Sequence, residues 1–196
     1  MATTSYFDKV RLDNNIAART NASHRWFAQK VKSLGGNIKA MDMLKDPHFL
    51  KKTSFKPGFM YHFIYDAKNK ETLPHWDKFP LMLAVGPAPG GFYGLNLHYL
   101  YPQARAKFLD KLIENTNNDK WDETTRIRLN YNMLSSVSKL KAFAPCFKHY
   151  LFEHVKSRIM LVPSSDWELA LFLPTENFVG DKKRNVWKQS KNSITG

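Results

Sequence analysis

The residues of this chain that could do acid–base chemistry are seven histidines and the carboxylates near them in the sequence. His75 and Asp77 are two positions apart, and residues i and i+2 of a strand share a face, so an imidazole and a carboxylate could pair there. His149 and His154 lie five apart on a predicted helix and therefore point about 140° away from each other. The first pair is compatible with general-base chemistry, although a turn with a solvated ion pair is the favoured interpretation. The second pair does not share a metal position.

Other motifs give catalysis no support. His62 and His98 lie on predicted strands that need not be neighbours, and no H-x-H, H-E-x-x-H or C-x-x-C spacing occurs. Cys146 stands between Pro145 and Phe147, a setting typical of a buried thiol, and a single cysteine excludes an internal disulfide. The sequence therefore predicts no catalytic residue, no metal site, no cofactor and no enzymatic activity. A small nuclease built around the first histidine–carboxylate pair is the least favoured alternative.

A glycine-rich stretch, 86–91, invites comparison with phosphate-binding loops. It lacks the G-K-[ST] ending of such loops, and two of its residues are prolines, which have no amide hydrogen for a phosphate. We therefore expect a rigid hairpin connection there. Gly94, inside the strand that follows, predicts a bulge or a close approach of another backbone.

The charge of the chain indicates its partners. Thirty lysines and arginines against 17 acidic residues give a formal net charge of +13 and a pI near 9.8. Such an excess favours a polyanionic partner, either nucleic acid or an acidic protein surface, over a merely solvated cationic surface. A membrane partner is not expected, because no apolar run approaches the roughly 20 residues of a membrane span. The polar N-terminus and the single cysteine favour an intracellular origin.

The elements that must position these residues are organised around three short aromatic and apolar runs, at 59–65, 79–85 and 92–99. Glycine- and proline-rich connections between them predict an antiparallel meander, and a fourth run at 158–162 is expected to return to it. The predicted fold is α+β: a small, strongly bent, barrel-like antiparallel sheet flanked by helices, with extended basic N- and C-terminal arms. The expected domains are 1–56, an N-terminal arm with helices; 57–179, the core; and 180–196, a basic tail.

Helices are expected before and after the sheet. Apolar spacing predicts them at about 22–34, after Pro102, at about 122–138, from Pro145 to about 155 and at about 165–173. A shorter one is expected to end at Pro47. Arg105 lies within the apolar face of the helix that Pro102 opens.

Basic residues concentrate before and after the sheet, which predicts sequence-independent contacts to DNA phosphates. The candidate DNA-binding residues are Lys51, Lys52, Lys56, Lys182, Lys183, Arg184 and Lys188. Three aromatic residues are candidates for an interface with protein subunits, because aromatic side chains are enriched at interfaces: Trp26, Phe27 and Trp187.

Several stretches resemble a family of virion proteins of large contractile-tailed phages, the DNA end protectors of T-even-type phages. The resemblance is most specific in Tyr65–Pro74, Asp77–Leu81 and Gly91–Leu100, and it continues through 121–125, 145–148 and 167–174. It covers most of the chain and is weakest in the first twenty and the last ten residues.

The resemblance implies a minor structural protein of the virion, made in the host cytoplasm. Such a protein would cap the ends of the packaged genome at the head–tail junction and shield them from host exonuclease. Its partners would be double-stranded DNA ends and other virion proteins, such as portal or neck subunits. The alternative is a tail or baseplate subunit that is held by protein contacts alone. The resemblance carries over no catalytic residue.

Overall fold

The computed structural model describes residues 43–45, 49–50, 55–102, 104–109, 143–163 and 166–195, with the single helical residues 12, 132 and 136. These residues combine helices with antiparallel strands, as predicted. The strands are β1 Phe49–Leu50, β2 Met60–His62, β3 Trp76–Asp77, β4 Leu81–Ala88, β5 Gly91–Asn96, β6 Phe147–Leu151, β7 Ile159–Val162 and β8 Phe178–Val179.

Six of these strands form one sheet in the order β1-β7-β2-β4-β5-β6, and all neighbours are antiparallel. Strands β3 and β8 pair separately, with Trp76 opposite Val179. The meander β2-β4-β5 and the return of β7 to β2 confirm the predicted strands. The sheet is open, with β1 and β6 at its edges, so the described strands do not form the predicted barrel-like closure.

The segment that contains Tyr150 was expected to be helical from Pro145 to about 155, and this prediction is wrong. Residues Phe147–Leu151 form β6, which pairs with β5 over five positions from Leu95↔Phe147 to Gly91↔Leu151. Apolar residues there fit a helical and an extended repeat about equally well over so short a run. The long-range hydrogen bonds to β5 decide in favour of the strand.

The hairpin between β4 and β5 is as tight as its sequence predicts. Pro89 and Gly90 form a two-residue turn, and Gly90 has φ +67°, a conformation that suits glycine. Opposite Gly94 the register of β4 shifts by one residue between Ala84 and Gly86, which is the predicted irregularity. Gly91 begins β5 so close to β6 that an added Cβ would lie only 1.8 Å from the Tyr150 carbonyl oxygen.

Replacing Gly91 with alanine should therefore push β5 and β6 apart and lower the free energy of unfolding by at least about 1–3 kcal/mol, the usual cost of overpacking. Gly94→Ala is the matched control, because its new methyl group would meet the flexible Met82 side chain at 2.3 Å rather than backbone at that distance. Urea unfolding of both variants measures the difference. Equal stability of the two variants would contradict the steric role of Gly91.

Both faces of the sheet are buried. Successive residues of β4 point to opposite sides, so Leu81 and Leu83 join one core with Met60 and Leu95. On the other face, Met82 and Ala84 pack among aromatic side chains: Tyr61, Phe63, Tyr65, Phe92 and Tyr150. The strands are consequently apolar throughout rather than alternating, which explains their strong sequence signal.

Helices cover the first of these cores. Helix α1, residues 104–109, follows Pro102 as predicted and buries Arg105, Phe108 and Leu109. Helix α2, Trp167–Phe172, buries Trp167 and three small or aliphatic residues, and it confirms the helix expected at about 165–173. A 3₁₀ turn, Leu97–Tyr99, links β5 to the segment before α1.

The C-terminal basic segment is not an extended arm, and that prediction is wrong. Lys183–Thr195 form helix α3, in which Val186 is fully buried and Ser190 nearly so. Few apolar residues mark this helix in the sequence, and Val186 together with polar contacts described below attaches it to the core.

Some predictions fall outside the described residues. These are the N-terminal arm and the helices expected at about 22–34 and at about 122–138, of which only residues 132 and 136 are described and are helical. The short helix ending near Pro47 is described only at 43–45. The division into domains 1–56, 57–179 and 180–196 stays a prediction.

Candidate functional site

A group of exposed basic residues lies on and beside α3. Residues 182–191 contain Lys182, Lys183, Arg184, Lys188 and Lys191, and all five side chains are exposed. Arg184, Lys188 and Lys191 follow the spacing i, i+4, i+7, which places them on one face of the helix. We call these three residues the basic stripe. Val186 and Ser190 lie on the buried face instead.

The acidic residue nearest this helix is at its beginning. Asp181 accepts hydrogen bonds from the side chains of Asn185 at 2.7 Å and Gln189 at 3.1 Å. The bond from Asn185 and the one from the Lys182 amide lower the pKa of Asp181, so it is ionised at neutral pH. A negative charge at a helix N-terminus is favourable. Asp181 therefore stabilises the beginning of α3, where its hydrogen-bond donors Lys182, Asn185 and Gln189 lie.

Polar contacts attach α3 to the sheet. The indole Nε1 of Trp187 donates to the His98 carbonyl oxygen at 2.8 Å, and Lys183 Nζ lies 3.6 Å from Glu176 Oε2. Arg105 connects both contacts, because its guanidinium lies 5.6 Å from the Trp187 ring centre and 2.6 Å from Glu176 Oε1. Helix α3 is thereby held in one position relative to β5 and α1.

Arg105 is the centre of this arrangement and is only 1% exposed. It donates hydrogen bonds to three backbone carbonyl oxygens, those of Leu100 at 2.7 Å, Leu171 at 3.1 Å and His98 at 3.1 Å. Burial alone would raise the pKa of Glu176, but the charges of Arg105, His98 and Lys183 outweigh burial and lower it. The buried Glu176 carboxylate is therefore stabilised as an anion, although its Oε2 has no hydrogen-bond partner among the described residues.

A second buried cluster lies next to the first, around Asp77. Its Oδ2 accepts from His98 Nδ1 at 2.6 Å and Asn96 Nδ2 at 3.1 Å, and its Oδ1 accepts from two backbone amides, Phe79 at 3.1 Å and Asn177 at 3.2 Å. Burial would raise the pKa of Asp77, but His98 and the hydrogen bonds lower it overall. The cluster links β3, β5 and the segment before β8.

The histidine arrangement differs from the one considered in the sequence. Asp77 pairs with His98 and not with His75, whose ring packs against Tyr99 and Phe178. His62 and His98 do lie together, with ring centres 5.9 Å apart. Burial lowers the pKa of His62 to about 3, so this ring is neutral under ordinary conditions.

None of these groups is exposed enough to contact a bound polymer. His62, His98 and Asp77 are at most 3% exposed. Burial raises the pKa of the Cys146 thiol to about 12, which keeps it protonated and unreactive. Among the described residues, no three histidine, cysteine or acidic side chains cluster closely enough to hold a metal ion. Within the same residues, no helix is long and apolar enough to cross a membrane.

The predicted DNA-binding residues divide into three groups. Lys56 is exposed just before β2, and Lys182, Lys183, Arg184 and Lys188 are exposed on or beside α3. Lys51 and Lys52 lie outside the described residues, as do Trp26 and Phe27. Trp187 is described but half-buried, with its N–H already engaged by His98.

The sequence did not reveal Lys191 as a member of the basic stripe or Arg105 as the residue that anchors α3. One signal was present for the second: Arg105 occupies an apolar-face position of its helix, where a charge must find buried partners. The partners, Glu176 and three carbonyl groups, come from segments that only the fold brings together.

The comparison with known proteins gives one match. The sequence model of the family described as phage T4 terminal DNA protecting protein matches residues 5–192. No curated protein and no solved structure matches the chain.

Proposed function

Since the chain belongs to the phage T4 terminal DNA protecting protein family, we propose that it binds the ends of double-stranded DNA. In a tailed-phage virion it would cap the genome ends at the head–tail junction, beside the portal and neck subunits, and shield them from host exonuclease. It would do so by binding alone, without catalysis and without a cofactor.

The observation that carries the proposal is the basic stripe, three exposed cations on one face of a helix that is anchored to the core. Cations that contact phosphates release condensed counterions, which favours binding without reading sequence. Because Arg105 and the His98 carbonyl hold α3 in place, the backbone that carries the three charges needs little ordering when DNA binds. This lowers the entropic cost of association.

A role without catalysis agrees with the position of the titratable groups. Asp77 and His98 are enclosed and use each other as partners. A general base must reach the proton that it removes within about 3 Å, and neither group is exposed enough to meet a scissile phosphate. The buried clusters support the fold that presents α3, and the proposal assigns them no other task.

Binding of a short blunt duplex and of the same sequence as a closed circle, each across a salt series, tests this proposal. We expect tighter binding to the duplex with ends. Substituting glutamine for Arg184, Lys188 and Lys191 together should weaken duplex binding on the order of a hundredfold at about 0.1 M salt. The slope of log affinity against log salt should fall by about 0.9 for each lost contact.

The matched control substitutes glutamine for three other exposed lysines, Lys78, Lys107 and Lys156. Both variants lower the formal net charge by three, from +13 to +10, so a specific site predicts a much smaller loss in the control. Equal losses would instead indicate diffuse attraction by net charge. No binding to either DNA form would favour the alternative role, a tail or baseplate subunit held by protein contacts.

A further inference from the structure

A cavity of about 310 Å³ lies between β3, β6 and the 65–73 segment. We call it the aromatic cavity, because rings form much of its wall, among them Tyr65, Trp76, Tyr99 and Tyr150. Its volume falls at the lower end of the range of small-molecule sites. Lys148 lines the interior, and the exposed Lys68 also borders the cavity.

Three side chains that line this space carry hydrogen-bonding groups without partners. Trp76 Nε1 and His75 Nδ1 are enclosed, and neither has a hydrogen-bond partner among the described residues. The Tyr150 hydroxyl, on a side chain only 3% exposed, likewise has no partner at ordinary hydrogen-bond geometry among the described residues. Buried polar groups are normally paired. Because an indole N–H can only donate, the cavity calls for an acceptor.

Lys148 gives the cavity a positive charge. Its Nζ lies 4.1 Å from the centre of the Tyr99 ring, and no described carboxylate lies within 4.0 Å of it. Burial lowers its pKa, which is the expected result of an enclosed cation that lacks an anion. The cation–π contact holds the ammonium group in position and leaves its hydrogens free to donate.

Among the described residues that line the cavity, Asp77 is the acidic one, and it forms no ion pair with Lys148. Asp77 already accepts four hydrogen bonds, two at each oxygen. The Lys148 cation, the unpaired donors of the lining residues and the faces of the aromatic rings together suit an anion that carries a flat ring. Aromatic side chains stack on nucleic-acid bases of every type, and an ammonium group binds phosphate as a point charge.

We propose that the aromatic cavity binds a nucleoside monophosphate group, with its phosphate at Lys148 and its base against the aromatic wall. Resting on the proposed function, we assign this group to the terminal nucleotide of a DNA strand. The cavity would then recognise the end itself, while the basic stripe would hold the phosphates of the adjoining duplex.

The fold connects the two surfaces. Val179 of β8 pairs with Trp76, and an added Cβ at Gly180 would lie 2.5 Å from the Pro74 carbonyl oxygen and 3.2 Å from the His75 Cα atom. Gly180 also has φ +93°, a conformation that side-chain-bearing residues rarely adopt. The chain that leads into α3 is thus packed directly against the wall of the aromatic cavity.

The test uses three DNA probes: a blunt duplex with 5′-phosphates, the same duplex with 5′-hydroxyls, and a closed circle. Lys148→Met removes the cation but retains a long apolar side chain, and it should weaken binding to the phosphorylated duplex about tenfold or more. Binding to the circle should not change. Lys148→Arg keeps the charge and should retain most of the affinity for ends.

A second variant tests the cavity with a substitution that should not impair folding. Tyr150→Phe removes only the unpaired hydroxyl, which should leave the melting temperature unchanged or higher and still weaken end binding several-fold. If Lys148→Met and Tyr150→Phe both fold and bind phosphorylated ends as the wild type does, the cavity has no role in end recognition. The proposed function would survive that result, provided that the wild type still prefers ends to the circle.

Competition with free thymidine 5′-monophosphate shows whether the cavity binds the terminal nucleotide of DNA or a free nucleotide. If it competes with the phosphorylated duplex for the wild type, and Lys148→Met loses this competition, the cavity takes the terminal nucleotide of DNA. If it binds in a Lys148-dependent way without displacing the duplex, the assignment to a DNA terminus is wrong. Absence of Lys148-dependent binding of either probe would overturn the whole inference.

Discussion

Replacing Asp77 with alanine is expected to lower the free energy of unfolding by about 3–5 kcal/mol, as when one partner of a buried charged pair is removed. Four donors lose their acceptor at once: the side chains of His98 and Asn96, and the amides of Phe79 and Asn177. A buried donor left without a partner costs about 1–3 kcal/mol. Urea unfolding followed by circular dichroism measures the loss.

The matched control is Asp66→Ala. Asp66 also pairs with a cation, Lys70, at 3.1 Å, but its side chain is 40% exposed. Exposed ion pairs contribute about 0–1 kcal/mol, so this variant should remain close to the wild type. If the two aspartate variants were equally stable, the buried cluster around Asp77 would not support the fold.

The carboxylates of both buried clusters, Asp77 and Glu176, make stability depend on pH. The pKa values of Asp77 and Glu176 are lowered in the folded protein from ordinary values of 3.8 and 4.5. Groups with lowered pKa values stabilise the fold fully above their unfolded values and lose that contribution as pH falls through their folded values. Wild-type stability should therefore decline below about pH 5, and Asp77→Asn should flatten this decline because one titrating group is gone.

Replacing Arg105 with leucine is the second change from which we expect a loss of about 3–5 kcal/mol. It removes the closest cationic partner of the buried Glu176, leaving the exposed Lys183 at 3.6 Å, and it removes the donor of three backbone carbonyl groups. Because Arg105 also contacts Trp187, the amide hydrogens of α3 should lose protection against exchange before those of the central strands. Hydrogen exchange resolves this order.

Two comparisons make the interpretation of that result specific. Lys107→Leu lies on the same helix but is exposed, so it should change stability by less than about 0.5 kcal/mol. The double variant Arg105→Leu, Glu176→Leu should be more stable than Arg105→Leu alone, because no unpaired buried carboxylate remains. A double variant less stable than both single variants would contradict the role of the ion pair.

Much of the sheet was predictable because its strands are buried on both faces. The runs that became β2, β4, β5 and β7 are almost wholly apolar or aromatic and are followed by polar turns or by segments with glycine or proline, and such a pattern leaves few alternatives. The two-residue turn before Gly91 was likewise encoded locally. Strand β6 was mistaken for a helix because its few apolar residues satisfy both repeats, and its pairing with β5 lies outside any local window.

The polar clusters were not predictable for a related reason. His98 and Asp77 are 21 residues apart, and Arg105 and Glu176 are 71 apart. No local pattern marks such partners, since a histidine or an arginine near apolar residues fits a buried network and an exposed surface alike. The wrong expectation for the C-terminal segment has the same origin, because α3 is held largely by contacts to Arg105 and the His98 carbonyl.

The amino-acid sequence by itself determined the family, the basic character, the central antiparallel strands and the helix after Pro102. These properties depend on composition, on local repeats and on motifs that are contiguous in the chain. Only the tertiary structure decided that α3 docks, that three of its cations share one face, and that unpaired donors and Lys148 surround one cavity. The physical reason is that burial and pairing of polar groups depend on segments far apart in sequence, which meet only when the sheet has formed.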